Sequence, residues 1–151
     1  MKANKMSAYF RWSSIGAIAG IFFGSAAIAV PIPDRNGDYT RSNAIGHLGW
    51  RVIDPDENGL NCRMAKRFQH TDYASANAPD ALYDNFVHNI GEWSVVARFA
   101  TGEMLQAQTA HVKNPNFLID RQGKAWMAVL PQRGQSSMCF VRSNRRFIRP
   151  F

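Results

Sequence analysis

The chain has 151 residues, 46% of them hydrophobic and 19% charged, a composition that suits one globular domain and excludes a disordered chain. Its 18 Lys and Arg outnumber 11 Asp and Glu, for a net charge of +7. Three of those basic groups fall in a segment expected to be removed, and the charge that remains is too moderate to imply nucleic acid.

That segment comes first. Lys2, Lys5 and Arg11 precede an uncharged apolar stretch from Ile15 to Val30. The stretch ends in Ser25-Ala26-Ala27-Ile28-Ala29, where Ala27 and Ala29 fit the small-x-small pattern of a signal-peptidase site. Residues 1–29 therefore read as a secretory signal helix cleaved after Ala29. The competing reading is an uncleaved anchor, but the apolar run falls short of the ~20 residues that span a bilayer. An uncleaved signal is the only membrane association expected. Cleavage removes three basic and no acidic groups, leaving 15 against 11, or +4. Such a charge suits an anionic surface like cell wall or lipid head groups. The expected location is the periplasm or the outside of the cell. In that oxidising compartment the two cysteines, Cys62 and Cys139, read as a disulfide rather than as free thiols.

Residues 30–46 are polar and read as an extended, poorly anchored, flexible leader. The ordered domain is expected over 47–151. Trp50 to Ile53 is a short strand. Asp54-Pro55-Asp56-Glu57-Asn58-Gly59 is a turn, because Pro fixes φ and Asn-Gly accepts positive φ. Leu60 to Met64 alternates, with Leu60, Cys62 and Met64 on one face. Residues 65–92 lack a clear period and read as a long, partly helical insertion in which Asp80 caps a short helix. Trp93–Ala100 and Met104–Thr109 are strands around the turn Thr101-Gly102-Glu103. Phe117–Ile119 and Ala125–Val129 flank the polar turn Asp120–Lys124 as a hairpin. Met138–Arg142 is the last long strand, and Ser143–Arg146 turns into Phe147-Ile148.

Several short strands with turns between them are the pattern of a small barrel or sandwich. Gly59-Leu60-Asn61-Cys62-Arg63 resembles the opening strand of bacterial Src homology 3-like domains, which commonly reads G-L-N-V-R. Val95-Val96-Ala97-Arg98-Phe99 with Thr101-Gly102 resembles their next strand and turn. Gly123-Lys124-Ala125-Trp126-Met127-Ala128-Val129 looks like the strand that carries their Trp, and Cys139-Phe140-Val141-Arg142 with Phe147-Ile148 like their closing strand. The run from residue 50 to the end is most similar to small secreted cyanobacterial members of this class. The resemblance implies a mainly β fold, a small Src homology 3-like β-barrel, with Cys62 and Cys139 on strands that lie close together. It departs from the family where nearly thirty residues separate Arg63 from Trp93, in a place where such domains often bind ligands.

The chemical motifs have duller readings that explain them better. Asp54 to Gly59 matches half of a calcium loop, but the twelfth position, which needs a bidentate acid, is Ala65. His47, His70, His88 and His111 show no metal-ligand spacing, and no nucleophile elbow occurs after the signal. No catalytic residue, metal or cofactor is expected. Trp50, Trp93 and Trp126 read as barrel core or rim. Two sets of residues remain as ligand-binding candidates: the cations Arg142, Arg145, Arg146 and Arg149, which suit carboxylate or phosphate, and the insertion aromatics Tyr73, Tyr83 and Phe86. The expectation is an exported, non-enzymatic binding or adaptor module engaging a cell-wall polymer such as peptidoglycan, or an envelope protein. The alternative is a small secreted enzyme or enzyme inhibitor acting through residues 65–92, with His70 and Asp72 as the groups to watch.

Overall fold

In a computed structural model of the chain, residues 30–44, 46–68, 82, 84–108, 117–130 and 138–151 are described. The alternation in Leu60–Met64 produces β2 over those same five residues, with Leu60, Cys62 and Met64 buried and Asn61 and Arg63 half-buried. β1, Gly49–Val52, and β4, Met104–Gln106, alternate in the same way, whereas β3, Ser94–Phe99, lies at a sheet edge with only Phe99 buried. The hairpin around Asp120–Lys124 gives β5, Phe117–Ile119, and β6, Ala125–Val129. The chain closes with β7, Cys139–Arg142, and β8, Ile148–Pro150.

All pairings are antiparallel and form two sheets, β4-β1-β8 and β3-β2-β7-β6-β5. Every residue of β6 is buried, as befits a strand covered on both faces. Trp50, Val52, Met64, Met127, Phe140, Val141 and Ile148 are fully buried and belong to one apolar core. Edge-to-face ring contacts extend from this core, Trp50 with Tyr39 at 4.8 Å and Phe140 with Trp93 at 5.9 Å between centroids.

Cys62 and Cys139 are joined by a disulfide across the neighbouring strands β2 and β7, with Cα atoms 5.5 Å apart and neither residue exposed. The turn before β2 depends on Gly59. Its φ is +76°, and a Cβ there would stand 2.4 Å from the carbonyl oxygen of Phe99.

Three expectations need correction. The barrel is not closed. Closure requires each outer strand to pair with the opposite sheet along its length. Here β4 runs on to one isolated bridge, Ala107 with Val129, and among the described residues β3, β5 and β8 have no second strand partner. The long, partly helical insertion is not seen either. Within residues 65–92 the named elements are two three-residue 3-10 turns, Lys66–Phe68 and Ile90–Glu92, and no helix of seven or more residues occurs among the described residues. Asp80, expected to cap a helix, lies outside the described residues, as do residues 1–29. Lastly, within the expected leader the stretch from Asp34 to Ala44 is not loosely held. Asp38 forms a bridge with Asn144, the Tyr39 amide donates to the Ser143 carbonyl at 2.8 Å, and Asp38, Tyr39 and Ala44 are buried. Polarity here serves pairing with the β7–β8 turn.

Candidate functional site

The turn between β1 and β2, the polar face of β2, the start of β6 and the β7–β8 turn surround a groove of about 850 Å³. Four cations line it, Arg63, Lys124, Arg142 and Arg146, with two acids, Asp54 and Asp56, at the β1–β2 turn. Trp126 and Phe147 supply aromatic wall, and Asn36, Asn61 and Asn144 supply amides.

Local hydrogen bonding sets each charge. Asp56 caps its own turn: the backbone and side-chain amides of Asn58 donate to Oδ1 at 2.9 and 3.0 Å. These bonds, with the Arg98 charge nearby, hold the Asp56 carboxyl below the usual carboxylate range. Asp54 is buried, and its Oδ1 accepts from the Asp56 amide at 3.0 Å. Both acids are therefore bound up in shaping the turn.

The cations differ in what holds them. Arg142 Nη1 donates to the Ala125 carbonyl, and Nη2 donates to Asp38 Oδ1 at 3.1 Å. Its guanidinium lies 5.6 Å from the centre of the Trp126 ring. The Trp126 indole is fixed in turn by donating to Asp120 Oδ2 at 2.7 Å. Arg63 Nη1 donates to the Trp93 carbonyl at 2.8 Å, which leaves part of its fork free. Lys124 and Arg146 are exposed and have no acidic partner among the described residues. Arg146 stands 6.0 Å from the Phe147 ring centre.

The four arginines grouped in the sequence thus separate in space. Arg142 and Arg146 line the groove. Arg145 lies over Gly37, where a Cβ would come within 3.0 Å of its Cγ. Burial pushes the Tyr39 phenol up, and the Arg145 charge works against that shift. Arg149 sits on β8, in register with Arg51 of β1. Phe86 is 63% exposed in a turn beside β5, where its amide donates to the Ile119 carbonyl at 2.7 Å. Its φ of +64° is unusual for an aromatic residue. Tyr73, Tyr83, His70, Asp72 and His111 lie outside the described residues. Arg63 and Lys124 were not singled out by the sequence. Arg63 could have been found from its place on the polar face of an alternating strand, and Lys124 from its position between a turn glycine and a buried strand.

Among the described residues no group of three or more His, Cys, Asp or Glu side chains is placed to hold a metal ion. No helix of those residues is long and apolar enough to cross a membrane. No family model, curated protein or solved structure matches the chain.

Proposed function

We propose that this chain is exported, and that it acts as a non-enzymatic binding module holding an anionic component of the cell envelope in the basic groove. The observation that carries the reading is the pair Lys124 and Arg146, two cations on one groove without acidic partners among the described residues. Arg63 adds a partly free guanidinium, whose planar fork suits carboxylate and phosphate. Half-buried Phe147 offers a ring edge for the body of the ligand. The disulfide is consistent with an oxidising destination. We further read the fold as an opened relative of the Src homology 3-like barrel. Pairing of β1 with the final strand β8, and the approach of the sheets at Ala107 and Val129, support that reading.

Two results are expected. Replacing Lys124 and Arg146 together by Ala weakens retention on purified peptidoglycan carrying its wall polymers by about tenfold at low salt, equivalent to about 1.4 kcal/mol. The gap from wild type narrows as salt rises, because exposed charges are screened. Retention unchanged by the double substitution rejects the groove. For export, protein recovered from the cell envelope begins at Val30 by N-terminal sequencing; intact Met1 in a membrane fraction instead establishes an anchor.

A further inference from the structure

The outer face of the three-stranded sheet carries cations that the groove does not account for. Side chains alternate along β1, so Trp50 and Val52 are buried while Arg51 points outward with Gly49 and Ile53. On β8, Ile148 is buried and Arg149 exposed. Arg51 and Arg149 are direct cross-strand partners. Like charges placed opposite each other in an antiparallel pair, with Cα atoms ~5.5 Å apart or less, destabilise the free protein. Nothing acidic relieves this pair among the described residues. The neighbour of Arg51 on its other side is Met104, whose sulfur accepts from Arg51 Nε at 3.4 Å. Glu103, next in the chain to Met104, turns its carboxylate to the amide of Ala100 at 3.0 Å.

This face is continuous with the groove. The Phe147 carbonyl accepts from the Ile53 amide and the Phe151 amide donates to the Gly49 carbonyl, which puts Phe147, Arg149 and Phe151 on the same outer face. Phe147 also lines the groove, and Arg149 lies two strand residues beyond it, ~7 Å. One path therefore leads from Lys124 and Arg146 over the Phe147 ring to Arg149 and Arg51.

We propose that the groove is the first half of a binding track whose second half is the Arg51–Arg149 pair, and that its ligand is a linear polyanion with charges repeated along the chain. The inference rests on the groove reading above and extends it. A single anionic group satisfies one cation site; only a chain reaches both, and joining the two sites raises affinity through effective concentration. A lipid bilayer is flat and reaches the outer face without entering the recess, so a polymer fits the whole path better.

The test compares wild type, Arg51→Gln/Arg149→Gln and Lys124→Ala/Arg146→Ala by titration calorimetry. The probes are poly(glycerol phosphate) and polygalacturonate, each with its monomer, glycerol 3-phosphate or galacturonate; the preferred polymer separates phosphate from carboxylate as the source of charge. The sheet variant is expected to bind the preferred polymer about tenfold more weakly and with a shallower salt dependence, while binding its monomer as wild type does. Its melting temperature should equal or exceed that of wild type, since two opposed charges are gone. The groove variant loses polymer and monomer alike. Full polymer affinity in the sheet variant, with loss in the groove variant, overturns the track and leaves the groove standing. Full affinity for both probes in the groove variant overturns the groove itself. The track is also overturned if phosphatidylglycerol vesicles bind wild type but not the sheet variant while polymer binding is untouched.

Discussion

Breaking the Cys62–Cys139 bond is expected to lower stability by about 2–5 kcal/mol, whether by reduction or by Cys62→Ser. The bond spans 77 residues of sequence, so its loss restores a large amount of freedom to the unfolded chain. It also lies in the core: both cysteines are fully buried, on β2 and β7, two of the three inner strands of the larger sheet. For a domain of this size the loss corresponds to a fall in melting temperature of roughly 10–20 °C. Thermal and urea melts with and without reductant measure it. Cys62→Ser, Cys139→Ser and the double substitution should fall by similar amounts, because each removes the same bond. Single and double variants whose losses simply add, with reduction harmless to wild type, would assign the effect to side-chain packing and sink the claim. A fall of the expected size leaves the reduced chain marginally stable, so that folding depends on an oxidising environment.

The parts of the fold that local chemistry dictates were legible in the sequence. The β2, β5 and β6 boundaries agree with the structure because alternation or a continuous apolar run is bounded by turns with their own hydrogen bonds, as where Asp120 Oδ1 accepts from the Gln122 and Lys124 amides at 2.9 Å. The disulfide was legible from an even cysteine count. What local rules could not see were contacts between distant segments. Residues 30–44 look like a polar tail, yet the buried Asp38 carboxylate bonds Asn144 across 106 positions. Barrel closure depends on which outer strands find a second partner, and three-residue strands such as β4, β5 and β8 carry no sequence signal for that. The arginine cluster falls within eight positions of sequence but straddles a turn between two sheets. It contributes two cations to the groove, while Arg63 and Lys124 arrive from elsewhere in the chain.

The bond network at Asp38 links this hidden anchoring to the groove and gives the second large effect. Asp38 is 6% exposed and accepts from Asn144 Nδ2 at 2.8 Å and Arg142 Nη2 at 3.1 Å, forming the one ion pair among the described residues. Asp38→Ala takes one acceptor from a partly buried guanidinium and one from a buried amide, which keep the Ala125 and Asn36 carbonyls. Breaking a fully buried pair costs about 3–5 kcal/mol. The Arg142 side chain is 20% exposed, so some water reaches it, and a loss of about 2–4 kcal/mol is expected. Asp38→Asn keeps an oxygen for Asn144 but not the charge, and should cost less. Binding should move the other way. Arg142 lines the groove, and Asp38 neutralises it; without the carboxylate the groove gains a cation, so Asp38→Asn should hold an anionic wall polymer more tightly than wild type at low salt. Urea denaturation and polymer retention measured on one preparation decide the matter. In an Arg142→Met background Asp38→Asn should change neither by as much, since the charge it releases is gone. A variant that loses stability and polymer affinity together, in both backgrounds, would make Asp38 a scaffold residue alone and remove Arg142 from the groove's electrostatics.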